Sequence, residues 1–253
     1  MVSLGEKIKL FRTTSGLSQF ELETSLDLGY GSISRMESNQ TIPTRKTLIK
    51  ISNYLRLNDR QFDYLIGSRE TVPSEEEVQR AISITSRLWD DENLFVILRD
   101  DHFRLCAASK GIRKLFKISE TDWSEKCYLQ NIITVMLNPQ LQFSHSFNIL
   151  TNPNAEADLR TLLTGFYYEM SFMQLEPDYK ETLREINKHP LAQSILNNLI
   201  TDKTYPPFYL ITDRRLRVYI DTNVVDLIFY TEVIPDSTRF SFIHFLENTY
   251  SKQ

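Results

Sequence analysis

The hydrophobic period of this 253-residue chain changes once, and that change divides what its two parts can become. Residues 1–66 carry apolar side chains at helical spacing. Leu4, Ile8 and Phe11 fall at i, i+4 and i+7 on one stripe, and Gly16 stops that run. Ser18 opens the next helix, with Glu21 three residues on in capping-box position, and Leu22 and Leu26 share a face. A third short helix holds Ile33 and Met36. Pro43 and Thr44 open a fourth, with Leu48, Ile51 and Leu55 on its buried side. Phe62, Leu65 and Ile66 suggest a fifth, closed by Gly67.

From Leu94 the period shortens. LFVIL (94–98) and FRLCA (103–107) read as a hairpin across the polar RDDH. FYLIT (208–212), RLRVYI (215–220) and VVDLIFYTEVI (224–234) read as three further strands. Between them lie helical stretches around Ile112–Phe116, Leu129–Met136 and residues 155–200, and a short C-terminal helix is expected over Phe240–Asn248. The polar, Pro-containing Gly67–Glu75 reads as a linker and 76–88 as a connector helix. The predicted organisation is a five-helix domain over 1–66, a linker and connector over 67–93, and an α+β domain over 94–253. In that second domain an antiparallel sheet carries helices on one face, with a helical insertion between the strands.

Composition excludes several functions. Cys106 and Cys127 are the only cysteines, too few for a disulfide framework or a four-cysteine zinc site. The expected location is therefore a reducing cytoplasm. His102, His145, His189 and His244 show no metal-ligand spacing, so no metal is expected; a single histidine serving a haem is the one exception that chemistry leaves open. No apolar run approaches the roughly 18 residues of a spanning helix, and Met1–Leu10 does not read as a secretory leader. No phosphate loop, dinucleotide fingerprint or nucleophile elbow is present, so no enzyme activity is expected. The net charge is −4, but residues 1–70 hold ten Lys/Arg against eight Asp/Glu, so an acidic chain still leaves its first part free to meet a polyanion.

The stretch SQFELETSLDLGYGSISRMESNQTIP (18–43), with Leu4-Gly5, Ile8, Arg12, Leu17 and Leu48 in register, resembles the helix-turn-helix of the Xre/Cro–C1 repressor family over roughly residues 4–57. The resemblance implies a recognition helix, here Tyr30–Glu37, laid in the major groove. Tyr30, Gly31, Ser34 and Arg35 would face the bases, and Arg35 could bond guanine in bidentate fashion. Gln19 would meet a phosphate or brace a base-reading residue. Ser38, Asn39, Gln40 and Thr44 are candidate backbone contacts, with Arg45 and Lys46 adding charge. Arg12 and Glu37 match a structural pair tying helix 1 to helix 3. Glu23, Asp27 and Gly29 depart from the pattern: they stand for a small packing residue, the turn glycine and a Ser/Thr cap. A near-palindromic operator read by a homodimer follows, with half-sites about 10 base pairs apart or a multiple.

The second part, through FRLCAASKGIRKLF (103–116), Lys188-His189-Pro190 and the closing strands, resembles the PAS-like ligand-binding half of MmyB-type regulators. That implies a ligand held between sheet and helices and points to a fatty-acid-like molecule. Candidate lining residues are Phe95, Ile97, Leu105, Ala107, Phe116, Met136, Tyr209, Ile211 and Tyr219. Two alternatives stay open: a ligand-free dimerisation half, and a self-cleaving phage-type repressor, disfavoured because no Ala-Gly cleavage pair exists.

Overall fold

The computed structural model describes residues 2–67, 72–148, 150, 152–201, 215–220, 223–234 and 239–247. The chain forms two compact units. One is Met1–Val72 with Phe172–Pro177, and the other is Pro73–Ser171 with Asp178–Gln253.

The first unit holds α1 (Leu4–Thr14), α2 (Gln19–Ser25), α3 (Ser32–Glu37), α4 (Arg45–Leu55) and α5 (Asp59–Ile66). Local chemistry fixes their starts. Ser3, Ser18 and Asn58 each make a reciprocal capping box with Glu6, Glu21 and Gln61, and Thr44 caps α4. The periodic residues meet inside: Ile8, Leu22, Ile33, Ile51 and Tyr64 are fully buried. Gly5 sets the spacing of α1 on α3, because a Cβ there would lie 2.4 Å from the Met36 carbonyl oxygen. The buried Lys7 donates to the Tyr64 carbonyl at 2.8 Å and lies 4.3 Å from the centre of that ring. The Tyr64 ring stands edge-on to Phe172, and its hydroxyl donates to Glu176 at 2.8 Å, so the Phe172–Pro177 segment completes this core.

The second unit opens with α6 (Glu75–Ile84) and a 3-10 turn (Ser86–Leu88). Strands β1 (Val96–Asp100) and β2 (Leu105–Ala108) follow, then α7 (Lys110–Leu115), α8 (Glu120–Asp122) running into a π turn (Trp123–Cys127), and α9 (Ile132–Leu137). A 3-10 segment (Gln142–Phe147) leads to α10 (Ala155–Met170), α11 (Pro177–Asn187) and α12 (Pro190–Thr201). Strands β3 (Arg215–Ile220), β4 (Asn223–Val233) and β5 (Phe240–Glu247) close the unit. The sheet order is β2-β1-β5-β4-β3, and every pairing is antiparallel.

Three expectations change. The C-terminal segment is not a helix: Phe240–Glu247 is β5, paired with β1 and β4. Phe240 and Phe242 point to one face and Ile243 and Phe245 to the other, an alternation that the two flanking strands reward. Helices cover both faces of the sheet rather than one. Val96, Leu98, Phe240 and Phe242 pack with Val78 and Ala81 of α6, while the alternate residues Ile97, Arg99, Ile243 and Phe245 face α9 and α10. The helix expected as a free connector is thus part of the second unit's core, with Val78 fully buried. The expected strand FYLIT lies outside the described residues.

The far edge of the sheet is closed by side chains. The Ser146 hydroxyl accepts the Tyr219 amide at 2.9 Å, and the Asp158 carboxylate accepts the Arg217 amide at 3.3 Å. Both amides point away from β4.

Candidate nucleic-acid interface

The helix-turn-helix is α2, the turn Leu26–Gly31, and α3. The helix expected to read bases, α3, starts at Ser32, two residues later than expected, and its N-cap is Gly31 rather than Gly29. Gly31 has φ +73°, a left-handed conformation that favours glycine, and offers no side-chain cap. Glu23 supplies the missing acceptor. Its buried carboxylate takes the Gly31 amide at 3.1 Å and the Ile33 amide at 2.8 Å. A residue that departs from the family pattern thus does the work of a cap from the neighbouring helix. Asp27 sits at φ +52°, adopting the conformation of the glycine it replaces.

The far end of α3 is held as firmly. Arg12 Nε meets Glu37 Oε1 at 2.5 Å and Nη2 meets Oε2 at 3.0 Å, while Nη1 donates to the Leu17 carbonyl at 2.6 Å. Gln19 Nε2 donates to Glu37 Oε2 at 2.7 Å. Both charged groups are buried, and the fork geometry satisfies them. Gln19 therefore braces α3 through Glu37.

The other expected contacts divide by what already holds them. Tyr30 is 90% exposed. Ser34 and Arg35 are exposed on α3, and Arg35 Nη2 reaches back to the Tyr30 carbonyl at 3.3 Å. The guanidinium lies over Gly31, where a Cβ would come within 3.0 Å of Nη1. Ser38 is exposed, with its hydroxyl bonded back to the Ser34 carbonyl at 2.9 Å. Asn39 is engaged at the start of α1, accepting the Gly5 amide at 3.0 Å and donating to Ser3 at 2.9 Å. Thr44 accepts the Thr47 amide as a cap. Gln40, Arg45 and Lys46 are exposed. Arg45 and Lys46 occupy the first turn of α4, which carries no acidic residue. Cations there oppose the helix dipole, a cost of about 0.3–1 kcal/mol that a phosphate would offset.

Sequence reasoning missed Glu23 as a cap and left out Phe20 and Ile42, which are 66% and 85% exposed on either side of α3 in the chain. Both are large apolar side chains standing in water. Their exposure is a property of the folded unit and carries no sequence signal.

The ligand-lining candidates of the second unit do not converge on one cavity. Ile97 and Met136 line a space under α10 of only about 40 Å³, roughly room for one or two waters, walled by Arg99 paired with Glu169 at 2.6 Å. Phe116 and Met136 border a smaller gap of about 10 Å³. Ala107 faces the opposite, α6 side, because a bulge in β2 opposite Leu98/Arg99 breaks the alternation. Leu105 is buried, and Phe95 and Tyr219 are partly buried but border neither space. Tyr209 and Ile211 lie outside the described residues. Among the described residues no three His, Cys, Asp or Glu side chains converge as a metal site needs. No helix among them is long and apolar enough to cross a membrane.

Residues 8–62 match the helix-turn-helix family HTH_3, the region whose geometry is given above. That match makes the first unit a helix-turn-helix domain, the fold of a DNA-binding regulator and not of an enzyme. The chain is also similar to a curated relative, the HTH-type transcriptional regulator ImmR of Bacillus subtilis (strain 168), 28% identical over 104 residues that span 40% of this chain and 80% of the relative.

Proposed function

We propose that this protein is a sequence-specific transcription regulator that docks α3 in the major groove of a near-palindromic operator. The observation that carries the reading is the double fixation of α3. Glu23 holds its N-terminus and the Arg12–Glu37–Gln19 cluster its C-terminus, leaving Tyr30, Ser34 and Arg35 outward and the Arg45–Lys46 pair nearby in the chain. Arg35 reads a base and Arg45 and Lys46 meet phosphates. The similarity to a named transcriptional regulator supports the same reading. Such a protein works on DNA in the cytoplasm.

The second unit serves as a PAS-like half that dimerises the protein and senses a small apolar or amphipathic ligand. An exposed apolar strip on β4 and β5 (Val224, Ile228, Tyr230 and Leu246) supports dimerisation. The tight space under α10 favours, for that face, the second reading of a ligand-free structural half. Selection from random duplexes tests the main reading: the full-length protein enriches one near-palindromic site, and recovery of no preferred sequence would overturn it.

A further inference from the structure

The chain passes between the two units three times, between residues 72 and 73, 171 and 172, and 177 and 178. Next to each passage a residue of the second unit is held by the same stretch, residues 99–104, where β1 turns into β2. Arg104 Nη2 donates to the Pro73 carbonyl at 2.9 Å. Arg99 Nη2 pairs with Glu169, in the last turn of α10, at 2.6 Å. His102 Nδ1 lies 2.6 Å from Asp178 Oδ2 in the first turn of α11. All of these bonds lie within the second unit.

The turn is built under constraint. The buried Asp100 carboxylate takes the His102 and Arg104 amides at 3.0 and 2.8 Å and Arg104 Nε at 2.6 Å. Phe103 has φ +64°, a left-handed conformation that a bulky side chain adopts only at a cost. The His102 ring is buried, and its Nε2 has no hydrogen-bond partner among the described residues, which costs again. Such strain persists only where surrounding structure holds it in place. Here the holding bonds include those that lead to the three passages.

Two of the passages bracket Phe172–Pro177, which belongs to the first unit. Phe172 lies edge-on to the Tyr64 ring, and Glu176 accepts from its hydroxyl. The Tyr64 carbonyl holds Lys7 of α1, and α1 carries Arg12, which fixes Glu37 at the end of α3. Within the second unit, Phe166 of α10 stacks on Tyr179 of α11 at 5.3 Å, and Phe103 of the turn stands edge-on to Phe166 at 5.7 Å. The turn therefore grips the chain on both sides of a segment that completes the core of the helix-turn-helix unit.

We propose that the 99–104 turn is a coupling element: its hold on Pro73, Glu169 and Asp178 sets the order of the helix-turn-helix unit through the Phe172–Pro177 segment. A change in the second unit that loosens the turn frees the segment, and α1 and α5 lose the packing that Phe172 and Glu176 supply. The consequence for DNA rests on the regulator reading, to which the turn adds a route of control.

The test is amide hydrogen exchange, read by mass spectrometry on the full-length protein, of the parent against Glu169→Gln, Asp178→Ala and Arg104→Lys. Every one of these substitutions lies in the second unit. In Asp178→Ala, peptides from α1 and α5 exchange about tenfold faster, an effect of the size usual between coupled sites. The other two variants shift the same peptides in the same direction, and β4 and β5 keep their parental rates. Asp226→Asn, which breaks the Arg217–Asp226 ion pair between β3 and β4, leaves α1 and α5 at the parental rate. If Asp178→Ala fails to fold, Asp178→Asn replaces it, a conservative change at a side chain that is 33% exposed. Parental exchange of α1 and α5 in all three variants overturns the proposal, and so does an equal effect of Asp226→Asn. Exchange needs no DNA, so the coupling stands or falls apart from the operator reading. On a selected operator, Asp178→Ala binds about tenfold more weakly than the parent; unchanged affinity beside faster exchange overturns the regulatory consequence alone.

Discussion

The carboxylate of Glu23, on α2, accepts the backbone amide of Ile33, in the first turn of α3, at 2.8 Å. One helix of the pair thereby caps the other, and the same side chain also takes the Gly31 amide. Glu23→Ala leaves the part-buried Gly31 amide and the buried Ile33 amide without this partner. It should lower the stability of the first unit by about 1–2 kcal/mol, as loss of a cap does. Urea unfolding followed by far-UV circular dichroism measures it, and Glu23→Gln, which keeps one acceptor oxygen, should fall between.

Gly31 and Gly29 should respond differently to alanine. At Gly31 the left-handed backbone penalises a side chain by about 1–2 kcal/mol, and the new Cβ would press on the Arg35 guanidinium. Gly29 lacks a left-handed φ, and its Cβ would meet only Ser32 Oγ at 3.6 Å, so that variant should stay within about 0.5 kcal/mol. Operator titrations should show Gly31→Ala binding more weakly than Gly29→Ala. Equal affinities would remove Arg35 from the readout.

The Arg12–Glu37 pair should be strongly non-additive. Arg12→Ala strands a buried carboxylate and should cost about 3–5 kcal/mol, while replacing both partners with Met should cost much less. A double-mutant cycle in chemical denaturation reads the difference. An additive result would mean that the pair is solvated in solution.

These cases show what the sequence could and could not tell. The boxes at Ser18–Glu21 and Ser74–Glu77 involve residues three apart, and the first was legible because both partners sit in one short window. Arg12–Glu37 was legible through a spaced family pattern. Glu23 was not, because its role depends on where the turn delivers two amides that lie eight and ten residues away. Two glycines flank Tyr30, and only the backbone angle says which one caps. For β5, Phe240, Ile243 and Leu246 suit a helix as well as Phe240, Phe242 and His244 suit a strand. The strand that decides the matter, β1, lies some 140 residues earlier. Leu105 and Ala107 part faces because one bulge in β2 breaks the alternation.

Alkaline stability should reflect Tyr128. Burial, then its bond to Glu75, pushes the phenol up to about 12 from an ordinary value near 10. The folded state holds this proton where the unfolded state has released it. The contribution is therefore complete below about pH 10 and is lost as pH rises toward 12. Absorbance titration near 295 nm should show a late-ionising phenol that Tyr128→Phe removes, with Tyr179 remaining as another late group.

The hydroxyl of Ser146 and the carboxylate of Asp158 occupy the positions from which an incoming strand would bond the outward amides of β3. That rim is therefore sealed against templating. Another polypeptide cannot zip onto it to propagate the sheet, and fibril growth from this rim is blocked in the native state. Ser146→Ala should reopen the Tyr219 amide, and slow thioflavin-positive assembly of that variant, absent from the parent, would be the visible result.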